Sequence, residues 1–225
     1  MTDSRDCIAP IDARLCSYVA RLDAHPFFAA VAQHAVPRDL LCEFASHQYA
    51  DSILWIPMLA LMRAKASTSP RLQRAIEDNI RHEAGLGGTS HVTLANRMLR
   101  SLGVASLQAS PTALLATGAN EWLTPHWADF TEPEVAGFLL AAETLVPRMF
   151  ARMQAAFEEL HCDTEYFRVH VAVDGDEHSA WMREAVQEVL TLHGPGSAAL
   201  VLRGMAEAWD ETREIPDELV DRLTA

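Results

Sequence analysis

Basic side chains are scarce in this chain. Lysine occurs once, as Lys65, and 18 lysines and arginines in total face 31 aspartates and glutamates, for a formal net charge of −13. A nucleic-acid binder normally carries a basic patch, so that class is excluded. The acidic surplus favours solubility and names no partner. Cysteine is also sparse: Cys7, Cys16, Cys42 and Cys162 form no C-x-x-C pair. That spacing excludes a thiolate zinc site and gives no disulfide framework, so free thiols in a reducing compartment are expected. No apolar run approaches the ~18 residues of a membrane span. The opening stretch, MTDSRDCIAP, has no apolar signal core. The expected setting is the cytoplasm, with no membrane and no nucleic-acid partner. Strand-type alternation, internal repeats and low-complexity linkers are missing too, which leaves an all-α chain.

What is present is helical periodicity. Leu15, Val19 and Leu22 mark a first helix from about Ile11 to Asp23, broken at His25-Pro26. A short helix follows to His34. Pro37 suits the first position of a long helix over about 38–66, with Pro57 expected to kink it. Ser69-Pro70 opens a helix to Ala84. The segment GLGG interrupts it, and Thr89 or Ser90 caps a continuation to Leu102, stopped by Gly103. Further helices are expected over 111–123, 132–160, 164–192 and 198–210, with an acidic tail containing Pro216. The tryptophans Trp55, Trp122, Trp127 and Trp181 read as core.

The polar groups on these apolar helices carry the chemistry. In YFRVHVAVDGDEHSAW, residues 166–181, His170, Asp174 and His178 lie four residues apart. Steps of four drift by only about 40° around a helix, so the three share one stripe. Trp181, Ala185 and Val189 continue that stripe, which should therefore face the interior. Charge buried there needs a partner or a metal. RHEAGLGGTSH adds Glu83 and His91, and FLLAAETLVPRMF adds Glu143. Three carboxylates with three imidazoles suit iron or manganese. Six ligands exceed the needs of one ion, so two carboxylate-bridged metals are expected. Pro147 cannot donate to the Glu143 carbonyl four residues before it, which should loosen the helix beside that carboxylate. Gly175 should tolerate distortion within residues 166–181. His47, Gln48 and Asp51 give the long helix one polar side, suited to the polar part of a substrate. Arg148, Arg168, Arg81 and Arg152 are the candidates for holding a substrate carboxylate. The spacing fits neither the ferritin-like pair of Glu-x-x-His motifs nor the zincin motif.

Taken together, HEAG at Glu83, Ser90-His91, the isolated Glu143 and HVAVDGDEH from His170 to His178 resemble the haem-oxygenase-like diiron oxidase/oxygenase superfamily over roughly residues 25–210. The resemblance implies a seven-helix bundle over residues 25–213, preceded by an N-terminal helix and lead-in (1–24) and followed by the acidic tail (214–225), as one globular domain. It implies two non-haem iron ions held by Glu83, His91, Glu143, His170, Asp174 and His178, with Glu143 as the catalytic carboxylate and O2 as co-substrate. Glu177 stays open beside His178, and Glu77 beside Glu83. The implied substrate is a small molecule, foremost an amino acid or amine derivative, undergoing N-oxygenation, C–C cleavage or desaturation. Homodimerisation is an expectation from the resemblance alone. The competing readings are a metal-independent oxidase or thiaminase-like hydrolase on the same fold, and a helical protein that binds haem or another small molecule.

Overall fold

The computed structural model describes the backbone of residues 4–104, 127–173 and 178–224, and the side chains of all of these but 4–6 and 173. Among the described residues the chain forms nine α-helices and no strand, so the all-α expectation is borne out. They are α1 (Ser4–Asp23), α2 (Pro26–Ala32), α3 (Arg38–Lys65), α4 (Pro70–Glu83), α5 (His91–Ser101), α6 (Glu132–Glu159), α7 (Glu165–Val173), α8 (Ser179–His193) and α9 (Ala198–Leu223). The helix expected over 111–123 lies outside the described residues. No described helix is long and apolar enough to cross a membrane.

Helix ends follow the local chemistry. Ser69 caps α4, accepting from the Leu72 amide at 3.1 Å, with Pro70 in the first turn. Ser90 caps α5, and Gly103 ends it at φ +73°, a backbone state that glycine adopts without a Cβ clash. Thr131 and Glu134 close a reciprocal capping box at the start of α6.

The fold is organised around α6, which is buried on nearly all sides along its first half. Its main partner is α9. A Cβ added at Gly137 would lie 2.0 Å from the Val201 carbonyl oxygen, and one at Gly204 only 1.9 Å from that of Glu134. The two backbones therefore touch, each glycine seating the other helix's carbonyl. Beside that crossing the Glu134 carboxylate, itself buried, pairs with Arg203 of α9. On the outer side of α9, Tyr18 of α1 stacks on Trp209 with centroids 5.1 Å apart.

α3 is helical through Pro57, and of the helix expected over 164–192 the structure describes α7 and α8, with 174–177 outside the described residues. Two helix expectations need correction. The first helix begins at Ser4, running through Pro10. The last helix runs on through Pro216 to Leu223, so the acidic tail is helical. Pro216 removes one backbone donor, but Pro216 and Leu219 are both buried, and that burial keeps the turn helical.

Ala185 and Val189 are buried as expected, but Trp181 is 42% exposed. The inner face of α8 instead starts at Met182, and the Trp181 ring lies against His178 at 5.1 Å.

Candidate metal centre

Glu83 is the last residue of α4 and His91 the first of α5, so the turn between them sets their separation. That turn is tight: Gly85 has φ +77°, and a Cβ there would meet the Ser90 nitrogen at 2.4 Å. It brings His91 Nδ1 within 2.8 Å of Glu83 Oε2. His170, on α7, places Nε2 4.0 Å from Glu83 Oε1, and the His91 and His170 rings are 4.3 Å apart. All three residues are buried, and one donor atom from each lies within 4.8 Å of the others. Donors on a shared ion with ~2.1 Å bonds are roughly 3–4 Å apart, so a small contraction would close this group around a cation. The tautomer of His170 is fixed for that role. Its Nδ1 is 2.7 Å from the Tyr166 carbonyl and must carry the proton, which leaves the Nε2 lone pair turned to Glu83. Phe150 packs edge-on to the same ring at 4.9 Å.

A second buried group sits beside the first. Glu143, on α6, has Oε2 3.2 Å from His178 Nδ1, while Asn79 donates its amide to Oε1. His178 Nε2 lies 3.1 Å from His82 Nδ1. With Nδ1 of His178 as the donor to the carboxylate, Nε2 accepts from His82. The carbonyl that Pro147 leaves without a helical partner is used: Ser179 Oγ donates to the Glu143 oxygen at 3.2 Å. The start of α8 is thus fastened to the helix that carries Glu143, and His178 is held against that carboxylate.

Of the six expected ligands, then, five are buried in two adjoining groups, and Asp174 lies outside the described residues, as does Glu177. The choice between Glu83 and Glu77 is resolved by position. Glu77 is at the surface, bonded to Arg63 Nε at 2.7 Å. Sequence reading missed Asn79 and His82. Asn79 is four residues before Glu83, on the same helical face, and that spacing was the available signal.

Both groups border a cavity of about 430 Å³, lined by Glu83, Glu143 and His170 and walled by Trp55, Phe138, Met149 and Phe150. His47, Gln48 and Asp51 line it, as expected. Arg148 and Arg168 do not. Arg148 is exposed and borders a separate surface depression, and Arg168 is exposed and paired with Glu165. Their positions on α6 and α7 put them on outward faces. No lysine or arginine is among the described residues lining the cavity. The Cys162 thiol is pushed up by burial, which disfavours a thiolate nucleophile.

Carboxylates gather on the cavity wall formed by α3 and α9. Burial, and then the charge of Glu214, raise Asp51 from 3.8 to about 7. Burial, then Asp51, Glu207 and Glu214, raise Glu211 from 4.5 to about 8. Asp51 is exposed by surface area and lines this cavity. Both carboxyls keep their protons in the folded protein at pH values where the unfolded chain has released them. Stability of the metal-free protein should therefore fall as pH rises from about 4 to 8. Melting temperatures measured across that range should decline, and Asp51→Asn should flatten the decline by several degrees at its alkaline end. A variant curve parallel to wild type would contradict this.

Residues 42–212 match the family model described as iron-containing redox enzyme. No curated protein matches the chain. Among solved structures, a CADD-like protein of unknown function from Nostoc punctiforme superposes with a TM-score of 0.70 at 19% identity, over 97% of this chain and 99% of that one. A domain of unknown function with a haem-oxygenase-like fold from Shewanella denitrificans gives 0.72 at 16% identity, over 96% and 93%. At these identities the likeness carries the fold alone, which is haem-oxygenase-like.

Proposed function

We propose a function from one premise: this chain belongs to the iron-containing redox enzymes. Within that family we read it as a non-haem diiron oxidoreductase that uses O2 to oxidise a small molecule, an amine or amino acid derivative. The observation that carries the reading is the convergence of Glu83, His91 and His170 at the wall of the cavity, with Glu143 and His178 beside them.

The donor set fits iron: carboxylate oxygen and imidazole nitrogen, without thiolate. One ion would be held by Glu83, His91 and His170, and a second by Glu143 and His178, with Asp174 as the sixth ligand. Bound iron supplies the electrons and the open coordination positions that O2 reduction needs. The rest is done by the chain. Tyr166 and Phe150 hold His170 in one orientation. Asn79 and His178 occupy the two oxygens of Glu143, so that carboxylate has alternative partners between which it can turn. Trp55, Phe138, Met149 and Phe150 keep the space beside the ligands apolar, which excludes water and strengthens the electrostatics within.

An anaerobic ferrous titration of metal-free protein tests the reading. Two ions per chain are expected, followed by an absorbance change on admitting O2. Absence of stoichiometric iron, or a titration unchanged by Glu143→Ala, would sink it.

A further inference from the structure

Two helix faces meet across the cavity with the same polarity. On α3 they are Gln48, Asp51 and Ser52, at positions i, i+3 and i+4; on α9 they are Glu211, Glu214 and Glu218, at i, i+3 and i+7. Arg213, the nearby arginine of α9, is engaged with Asp210 and Asp217 and does not line the cavity. His47 also borders it. The charge of Glu214 acts on Asp51, and those of Asp51, Glu207 and Glu214 act on Glu211; none of these is among the proposed metal ligands. A second observation is independent of charge. Gln48 is only 6% exposed and lines the cavity. Its backbone carbonyl accepts from Ser52, but its carboxamide has no protein partner among the described residues. A ligand in the cavity would supply the missing partner.

We propose that the cavity binds a small amine in its protonated form, the ammonium held among Asp51, Glu211 and Glu214 with Gln48 accepting one of its hydrogens, and the apolar body running along Trp55 and Phe138 toward Glu83 and Glu143. The proposal rests on the reading of this metal-bordered cavity as the substrate site, and it narrows that reading. Among the described residues no lysine or arginine lines the cavity to pair a substrate carboxylate, so the site favours amines over amino acids with a free carboxylate. The ammonium anchors at the carboxylates of α3 and α9, so the position presented to the metal is a carbon remote from it. In the empty cavity, protons on Asp51 and Glu211 relieve the mutual repulsion; an ammonium relieves it in their place. The volume of about 430 Å³ lies in the range of small-molecule sites.

The test uses metal-free full-length protein and three probes of one shape: n-hexylamine, 1-hexanol and hexanoate, titrated calorimetrically at pH 7.5. Hexylammonium should bind at least about tenfold more tightly than hexanol, and hexanoate most weakly. The double variant Asp51→Asn, Glu211→Gln should lose at least about tenfold in hexylammonium affinity and leave hexanol unmoved. Because it removes buried repulsion, this variant should fold at least as stably as wild type. Equal affinity for amine and alcohol, tighter binding of hexanoate, an unmoved affinity in the double variant, or no binding of any probe would each overturn the proposal. Iron titration of the same variant separates the two readings. Normal iron with absent amine selectivity refutes the ammonium site alone, and amine selectivity without iron uptake by wild type refutes the diiron reading alone.

Discussion

Glu83→Ala should abolish iron binding at the group formed with His91 and His170 and reduce turnover by at least about a hundredfold. Glu83 is the only carboxylate among the described residues that meets both imidazoles, and replacing even an outer partner of a metal ligand typically costs 10–100-fold in affinity or activity. The effect should not arise through unfolding. Glu83 is buried, and a buried carboxylate without its cation adds little to stability, so the melting temperature of the metal-free variant should stay within a few degrees of wild type. Glu77→Ala is the control, since that residue pairs with Arg63 at the surface. It should keep full iron stoichiometry. Iron measured by metal analysis after reconstitution, with turnover and thermal melts on the same preparations, decides the matter. Normal iron content in Glu83→Ala would remove this residue from the centre.

The largest effect on stability is expected from Gly204→Ala. Alanine is the better helix former by about 1 kcal/mol, and in an isolated helix this change would stabilise. Here the added Cβ would sit 1.9 Å from the Glu134 carbonyl oxygen. The obstacle is backbone, which cannot rotate away, so the two helices must separate. Overpacking commonly costs 1–3 kcal/mol and more where relief is blocked, so a net loss of about 3 kcal/mol is expected. At this size that lowers the melting temperature by roughly 6–12 °C. Gly137→Ala meets the Val201 carbonyl in the same way and should behave alike. Gly103→Ala places its Cβ at a positive φ, unlike the other two, but meets nothing within 4 Å, and it should cost distinctly less. An equal or smaller loss for Gly204→Ala than for Gly103→Ala would show that the helices are not held this closely. Separation should also reach the cavity, because α6 carries Glu143 and α9 carries Glu211.

Periodicity made much of the site readable. Glu83, His91, Glu143, His170 and His178 stood out because each is polar on an otherwise apolar helical face, and the structure buries all five. The loosened carbonyl before Pro147 was readable from the ring chemistry of proline alone. Its acceptance of the Ser179 hydroxyl was not, because that bond joins residues 36 positions apart. Asn79 and His82 escaped for the same reason, since their partners lie on α6 and α8. Trp181 was misplaced because the stripe through His170 was extended into α8, whose buried face starts at Met182. Arg148 and Arg168 were chosen for their charge, and charge does not tell which way a helix faces. α9 was cut short at about residue 210 and Pro216 assigned to a tail, although a proline whose neighbours are buried can sit inside a packed helix.

The crossing of α6 on α9 also bears on the order in which the protein is made. The side chains proposed as iron ligands all belong to residues 83–178, and those residues leave the ribosome before α9 does. Yet α6, apolar on nearly every side, stays uncovered until residues 198–223 arrive to seat their glycine against it. Until then the helix that carries Glu143 has no fixed position, and chains in that state are prone to aggregate. Assembly of the proposed centre is therefore expected only after α9 has been made. Iron supplied to nascent chains should find no organised site, whereas the same iron supplied after release should find one.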